Sequence, residues 1–388
     1  MTKKRDPRSS FHSRAISRRE FMKLTATVGL LAGCQPATQV VAPTSLPTST
    51  SVPAPTRTPV PSDTPVPTVA PTDTPAATAT PRRSVVRRPD VIKMYPAVPS
   101  QVVRARHAGV WSGKDLAPKA LRQMLDSSIT ALTGLKDARQ AWAALFAPDE
   151  QIAIKVNVFR NSIIWTHVPL VKAVTDSLQD AGIPAEKITI FDYFTSELEE
   201  AGFAINKDGP GVRCYGTDDS YTAGFKVGSS DRKLSDILLK SQALINMPIL
   251  KSHMISGLSF ALKNHYGTVD YPDALHLVDT GIPALNALAD IQDRTRLIIG
   301  DMLTACLKYK NSFPYWDADW TGDSILMSFD PLAHDTVGLQ VLKQLITDQG
   351  ADPASIEYMA APWIEKSGQA GLGANDEKNI KQVEVTLK

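Results

Sequence analysis

Strand and helix signals alternate through most of this chain, and that alternation leaves few architectures open to it. Residues 151–158 (QIAIKVNV) predict a strand, and Pro169 opens a predicted helix that stops near Gly182. The same alternation predicts strands at 187–191, 243–250, 296–300 and 325–329, and helices at 195–201, 234–241, 255–265 and 332–349. Such a pattern predicts an α/β fold with a mostly parallel sheet and helices on both faces.

The segment before this body differs sharply in composition. Residues 35–81 hold 12 prolines, three charged residues and no aromatic residue. Because such a segment has little apolar surface to bury, we expect a disordered, extended Pro/Thr-rich tether. The predicted organisation is a signal peptide (1–33), a lipidated cysteine with a disordered linker (34–89), and one α/β globular domain (90–388). Within that domain, residues 91–150 are expected to add a layer with helices at 117–131 and 137–146.

The first residues resemble an export signal. Residues 17–23 (SRREFMK) match the twin-arginine pattern, a short apolar stretch follows at 24–33, and Leu-Ala-Gly precedes Cys34 as in a bacterial lipobox. We therefore expect recognition by the twin-arginine translocation machinery, removal of the signal peptide and lipid attachment to Cys34. The product would be an extracytoplasmic lipoprotein, membrane-anchored in a lipid bilayer through Cys34. The alternative is a short amphipathic helix with a chance arginine pair.

Charge and motif content exclude several classes of function. Residues 1–23 carry eight Lys or Arg against two acids, whereas the whole chain has a net charge of only +2. The body is therefore mildly acidic and lacks the basic face that nucleic-acid binding requires, so no nucleic acid is expected as a partner. No Gly-x-Ser-x-Gly elbow, Walker loop or Gly-x-Gly-x-x-Gly follows a predicted strand, which disfavours serine hydrolases and the common nucleotide-binding loops.

Polar residues gather near the predicted carboxyl ends of the strands, where open α/β sheets bind their ligands. Several ammonium groups and imidazoles near one another indicate recognition of a small anionic ligand, a carboxylate or a phosphate. We predict four catalytic residues: Lys251, His253, Asp301 and Asp335. We predict six ligand-binding residues: Lys155, Asn157, His167, Lys263, Asn264 and His265.

The predicted roles follow from the chemistry of these groups. Lys251 and His253 would act as electrostatic or acid–base groups, and Asp301 or Asp335 would orient them. A desolvated lysine beside another cation can lose its proton and serve as a base or a nucleophile. For each histidine taken alone, a hydrogen-bonded structural position is the competing interpretation.

Several short motifs resemble the bacterial and archaeal family named domain of unknown function 362. They are residues 155–157 (KVN), 166–169 (THVP), 246–253 (NMPILKSH) and 262–267 (LKNHYG), together with Asp301 and Asp335. The resemblance spans about 150–375, and it implies a shared fold and a shared polar site but no established reaction. Some members carry ferredoxin-type iron–sulfur segments, which suggests redox work. Here Cys214 and Cys306 alone accompany Cys34, too few for a cubane cluster, so no iron–sulfur cofactor is expected.

Three questions stay open at this point. A divalent metal of unknown identity is one possibility, with ligands drawn from three histidines and nearby aspartates: His253, His265 and His276 with Asp270, Asp273, Asp301 or Asp335. No pair of these residues has the i, i+4 helical spacing that would make such a site specific. Cys214 and Cys306 form either a disulfide or buried thiols, and the aromatic run at 313–320 either lines a pocket or packs on the body.

The favoured function is an enzyme, with redox work as one option, acting on a small anionic substrate. The alternatives are a non-catalytic extracytoplasmic anion- or metal-binding lipoprotein and an envelope scaffold.

Overall fold

The computed structural model describes residues 99–159, 161–275 and 277–388. The predicted signal peptide, Cys34 and the Pro/Thr-rich linker lie outside these residues, and so does His276. Among the helices of the described ranges, none is both long enough and apolar enough to cross a membrane.

A mixed β-sheet lies at the centre of the described residues. The strands are β1 (Ser100–His107), β2 (Trp111–Ser112), β3 (Asp115–Leu116), β4 (Ile152–Lys155), β5 (Ile188–Phe191), β6 (Arg213–Cys214), β7 (Gly224–Val227), β8 (Ser230–Lys233), β9 (Ala243–Asn246), β10 (Ile249–His253), β11 (Gly257–Ser259), β12 (Thr295–Cys306), β13 (Trp320–Ser328) and β14 (Ile380–Leu387). In this part of the chain the main sheet has the order β14-β1-β13-β12-β9-β4-β5-β6, and β10 pairs with β11 and β12. The strands from β12 to β6 are parallel neighbours, whereas β13 is antiparallel to both β1 and β12. The mostly parallel sheet predicted from the sequence is confirmed.

Helices cover both faces of this sheet. They are α1 (Pro118–Thr133), α2 (Ala138–Leu145), α3 (Val168–Asp180), α4 (Thr195–Glu200), α5 (Asp236–Lys240), α6 (Ala261–Asn264), α7 (Val278–Asn286), α8 (Ala289–Gln292), α9 (Pro331–Asp348) and α10 (Ala354–Gln369). Side chains alternate along each strand, so Ile152 and Ile154 join the core under α1, α2 and α3. Ala153 joins the opposite core with α9 and α10. Two buried faces explain why the strands read as nearly continuous apolar runs.

The region between predicted strand 243–250 and predicted helix 255–265 differs from the prediction. The strand is divided into β9 and β10 at Met247 and Pro248. β9 pairs with β4 and β12, whereas β10 pairs with β11 and β12, and Pro248, between them, has no N–H to donate to a ladder. The helix is wrong over most of its length. Gly257, at φ 70°, closes a hairpin between β10 and β11. Of the predicted helix, the α-helical turn α6 remains, followed by a 3-10 turn at His265–Thr268.

The segment before residue 150 belongs to the central sheet and is more than a layer added to it. β1 lies between β13 and β14 in the main sheet, and α1 packs against it. The helices predicted at 117–131 and 137–146 correspond to α1 and α2. This segment therefore completes the central sheet as well as covering one of its faces.

Candidate active site

A cavity of about 410 Å³ opens at the carboxyl ends of β4, β5 and β10. Its volume suits a small molecule. Six of the predicted site residues line it: Lys155, Asn157, Lys251, His253, Lys263 and Asn264. Asp273 and Trp316, which the sequence analysis left as open possibilities, also line it. Other lining residues were not predicted as site residues, among them Asp192, Tyr193, Glu197 and Tyr266. Residues more than a hundred positions apart in the chain therefore surround one space.

Lys155 forms a buried ion pair at the base of this cavity. Its Nζ lies 2.5 Å from Asp192 Oδ1 and donates a hydrogen bond of 2.7 Å to the carbonyl of Val156. Asp192 also accepts backbone hydrogen bonds from Val158 (2.7 Å) and Tyr193 (2.8 Å). Burial lowers the pKa of Lys155, while the Asp192 carboxylate acts in the opposite direction. The charge of Lys155 is thus matched within the protein, which gives this lysine a structural role.

Gly267 leaves the space that this ion pair occupies. A Cβ atom at this position would overlap both Asp192 Oδ1 and Lys155 Nζ. Its φ does not lie in the left-handed region, so the backbone conformation alone does not require a glycine here. The residue is a glycine here because of close side-chain approach.

Lys251 is held by a chain of carboxamides. Its Nζ donates a hydrogen bond of 2.5 Å to Asn157 Oδ1. Asn157 Nδ2 then donates to Asn264 Oδ1 (3.0 Å), and Asn264 Nδ2 donates to Asn246 Oδ1 (2.7 Å). The chain ends where Asn246 Nδ2 donates to the carbonyl of Ala261 (2.8 Å). Since every carboxamide both accepts and donates, the orientation of all three is fixed, and an oxygen faces Lys251.

Lys263 has a different environment. Its Nζ lies 4.4 Å from the centroid of the Tyr266 ring, and no hydrogen-bond or ion-pair partner of this amine is found among the described residues. Burial and the charge of Lys251 lower the pKa of Lys263 to about 7, against the opposing effect of Asp273. Burial also lowers the pKa of Lys251, to about 8. Both amines are therefore much closer to losing a proton at neutral pH than an ordinary lysine.

His253 is fixed in one tautomer when neutral. Its Nδ1 accepts backbone N–H groups from Ile255 (3.1 Å) and Ser256 (3.3 Å), so the ring proton lies on Nε2. The ring stacks on Trp316 with 5.2 Å between centroids and 24° between planes. The indole N–H of Trp316 in turn donates to the carbonyl of Ser252 (2.8 Å). The aromatic run at 313–320 thus contributes a cavity wall that also orients the imidazole.

Asp301 and His167 pair with each other and do not line the cavity. Predicted strand 296–300 continues to Cys306, so Asp301 lies inside β12 and is fully buried. Its Oδ2 accepts the backbone N–H (2.9 Å) and Nδ1 (2.7 Å) of His167. Burial alone would lower the pKa of His167, but the Asp301 carboxylate outweighs it and raises that pKa. Asp301 therefore orients His167 instead of the cavity groups Lys251 and His253.

Asp335 and His265 also lie outside the lining of the cavity. Asp335 accepts the backbone N–H groups of Ala261 (2.7 Å) and Leu262 (2.9 Å), so it caps the turn that carries Lys263. His265 is 2% exposed, and its Nδ1 has no hydrogen-bond partner in the described ranges. Burial lowers the pKa of His265 to about 3, which keeps the ring neutral. Asp335 therefore holds the turn that carries Lys263 and does not itself line the cavity.

The histidines, carboxylates and thiols of the described residues bear on the metal and disulfide alternatives. Within them, no three or more His, Cys, Asp or Glu side chains form a group that could hold a metal ion, and His276 is not included. Cys214 and Cys306 are both buried and free, so the thiol alternative is the observed one. Burial raises their pKa values to about 12 and about 11, which makes both poor nucleophiles.

Two carboxylates that line the cavity, Asp192 and Glu197, were not predicted from the sequence, for different reasons. Asp192 directly follows β5, and the strand-end argument that selected Lys155 would have found it as well. Glu197 lies in the first turn of α4, buried, and no spacing or motif distinguishes it. Only the packing of α4 against the sheet brings it to the cavity.

Comparisons with known proteins bear on the family. Residues 152–340 match the family model described as Domain of unknown function (DUF362). No curated protein matches the chain. The lactate racemase apoprotein from Thermoanaerobacterium thermosaccharolyticum aligns at 8% identity and a TM-score of 0.39, over 62% of this chain and 57% of that one. A protein from Thermotoga maritima aligns at 11% identity and a TM-score of 0.35, over 67% and 60%.

In both alignments the chain spans about three fifths of the solved protein's length. The matched family segment includes every residue named above as lining the cavity, and it supports assignment of this chain to the DUF362 family.

Proposed function

We propose that this protein is an enzyme that acts on a small anionic substrate in the cavity at the carboxyl ends of β4, β5 and β10. The observation that carries the proposal is that two buried lysines, Lys251 and Lys263, line the same cavity, while neither forms an ion pair within the described residues. Buried charges without a partner are costly. An anionic ligand would supply the missing partner.

Lys251 is the proposed anion-binding group. Its hydrogen-bond acceptor, Asn157 Oδ1, is neutral, so the ammonium charge is oriented but not cancelled. An ammonium held in this way can donate its remaining protons to a carboxylate or a phosphate. Lys155 is unsuited to the same task, since Asp192 already neutralises it.

Lys263 is the proposed proton acceptor or nucleophile. With a pKa of about 7, a large share of this lysine carries a free lone pair at neutral pH. His253 supplies an Nε2–H group in its neutral tautomer. Tyr266 and Trp316 line the cavity beside these groups, and both lysines are buried, which strengthens electrostatic interactions with a ligand.

Ligand-observed NMR with inorganic phosphate, acetate, glyoxylate and succinate tests this proposal. We expect at least one of these anions to bind the full chain, and Lys251→Met to weaken binding by about 10- to 100-fold, because a hydrogen bond to a charged group contributes about 1.5–3 kcal/mol. Lys308→Met, at an exposed lysine, is the matched control and should bind as the unmodified protein does. Equal affinity in the two variants, or no binding of any anion, would refute the proposal.

A non-catalytic anion- or metal-binding protein is the alternative function. The same two lysines favour capture of an anion, so binding alone does not separate the two functions. Prolonged incubation in the same NMR tube separates the two functions. An enzyme converts the anion and produces new resonances, which should be absent with Lys263→Met, whereas a binding protein leaves the anion unaltered. Elemental analysis of the purified chain tests whether the protein binds a metal.

We further propose that the chain is exported by the twin-arginine route and anchored to the membrane through Cys34. The support comes from the sequence, with Arg18 and Arg19 before the apolar stretch and Cys34 after it, all outside the described residues. Replacing both arginines with lysine should leave the protein in the cytoplasm, and Cys34→Ala should release it from the membrane fraction. Mass spectrometry that finds an unmodified Cys34 in membrane-derived protein would contradict the anchor.

A further inference from the structure

The short helical turn that carries Lys263 is held rigidly. Asp335 accepts both N–H groups at the start of α6, and the carboxamides of Asn246 and Asn286 donate to the carbonyl oxygens of its first two residues at 2.8 and 2.9 Å. All four of these contacts are buried. Because the backbone of the turn is fixed on several sides, Lys263 extends into the cavity from a preorganised support.

The amine at the end of this side chain is set up as a nucleophile. Lys263 as a whole is 9% exposed, and its Nζ lies against the Tyr266 ring and has no acceptor for its protons in the described part of the chain. The ring favours the ammonium form, but burial and the neighbouring charge of Lys251 act against it and lower the pKa of Lys263. Lysines desolvated beside a second cation are the ones that attack carbonyl carbons.

Resting on the proposed function, we propose that Lys263 forms an imine with the carbonyl carbon of a small 2-oxo acid whose carboxylate is bound by Lys251. A 2-oxo acid satisfies both lysines at once, since it carries an anion and an electrophilic carbon on adjacent atoms. Lys251 remains the binding group because Asn157 Oδ1 accepts one of its protons and leaves the others for the carboxylate, whereas the Lys263 amine is not engaged by any described acceptor.

The step is balanced without an external oxidant or reductant. The Lys263 lone pair forms the C–N bond, and the carbonyl π electrons move to oxygen, which takes up a proton. The nitrogen then loses one proton, and the hydroxyl group leaves as water after a second protonation. The nitrogen lone pair forms the C=N bond as the water leaves, and the resulting protonated imine releases its remaining N–H proton to give the neutral imine. The net change is the loss of one water molecule from amine and oxo acid.

Reductive trapping tests this inference. The full chain is incubated with glyoxylate and sodium cyanoborohydride, which converts an imine to a stable secondary amine, and the modified lysine is located by peptide mass spectrometry. Because the cavity orients both reactants, we expect labelling at Lys263 to exceed that at the exposed Lys308 by at least about tenfold. Acetaldehyde, which has a methyl group in place of the carboxylate, should label Lys263 at least about tenfold less.

Variants separate the two lysines. Lys263→Arg keeps a cation but has no free amine at neutral pH, so it should abolish the cavity label, and Lys263→Met should do the same. Lys251→Met should reduce labelling by glyoxylate to the level seen with acetaldehyde. Labelling on Lys251 or spread over exposed lysines would overturn the assignment. If anions bind in the NMR experiment but Lys263 stays unlabelled, the imine is overturned and the proposed function stands; if neither occurs, both fall.

Discussion

Replacing Lys263 with methionine is expected to stabilise the fold at neutral pH. Methionine has a similar length and an unbranched apolar chain, so it fills the same space without a charge that must leave water. The folded pKa of Lys263 is about 7, against an ordinary value of 10.5. The folded protein therefore binds fewer protons than the unfolded chain between these two pH values, and its stability rises with pH across this window.

The magnitude follows from the proton linkage. Each pH unit in the window is worth about 1.4 kcal/mol, so the charge on Lys263 costs the folded state about 4 kcal/mol at pH 7 and nearly nothing above about pH 10.5. Below about pH 7 the cost no longer grows, because both states are then protonated. Lys263→Met should be more stable than the unmodified protein by up to about 4 kcal/mol at pH 7, and the advantage should shrink by about 1.4 kcal/mol per pH unit.

Urea unfolding followed by tryptophan fluorescence, at several values from about pH 6 to about pH 10, measures this difference directly. Lys119→Met is the control, since Lys119 is exposed on α1 and its replacement should give a difference that does not change with pH. A free-energy difference between Lys263→Met and the unmodified protein that is constant across the range would show that Lys263 has an ordinary pKa. Such a result would refute the assignment of Lys263 as a reactive amine.

Three further substitutions test the supports of the cavity. Gly267→Ala should destabilise the fold by about 3–5 kcal/mol in urea unfolding, because its Cβ would displace the buried pair of Lys155 and Asp192. Asp335→Asn should cost about 1–3 kcal/mol in the same assay, because its amide cannot accept both N–H groups of the turn it caps, and it should weaken trapping at Lys263. His167→Gln should remove a pH-dependent part of the stability: because the pKa of His167 is raised above 6.5, its contribution is complete below that pH and is lost as pH rises through the folded value, which unfolding from about pH 5 to about pH 9 measures.

Matched controls exist for these substitutions. Gly224→Ala places a Cβ where no atom lies within 4 Å, and it should leave stability nearly unchanged. Asp149→Asn removes an exposed carboxylate and should do the same. If Gly267→Ala unfolds at the same urea concentration as Gly224→Ala, the close packing argued for the ion pair is wrong. An unchanged pH profile in His167→Gln would contradict the raised pKa of this histidine.

The sequence predicted the structure well where the prediction depended on residues close together in the chain. Alternating apolar runs gave the sheet strands and helices, because burial on both faces requires continuous apolar segments. Lys155 and Asn157 were found for a similar reason: parallel strands end at one edge of a sheet, so polar residues just after such strands converge there. The same reasoning would have selected Asp192.

Local signals were less useful for residues whose neighbours come from elsewhere in the chain. Asp301 looked like a strand-end residue, but β12 continues past it because β10 and β13 pair with its second half, and the carboxylate is left inside the sheet beside His167. Asp335 carries no mark that distinguishes a catalytic carboxylate from one that caps a helix 74 residues away in the chain.

The sequence by itself determined the fold class and the supply of amines and imidazoles near one edge of the sheet, because both depend on periodicity and strand ends. Only the tertiary structure decided how those amines differ. Lys155 meets a carboxylate, Lys251 meets a carboxamide and Lys263 meets an aromatic ring. The protonation state of a buried lysine depends on these contacts and on the water they exclude, and no spacing of residues along the chain records them.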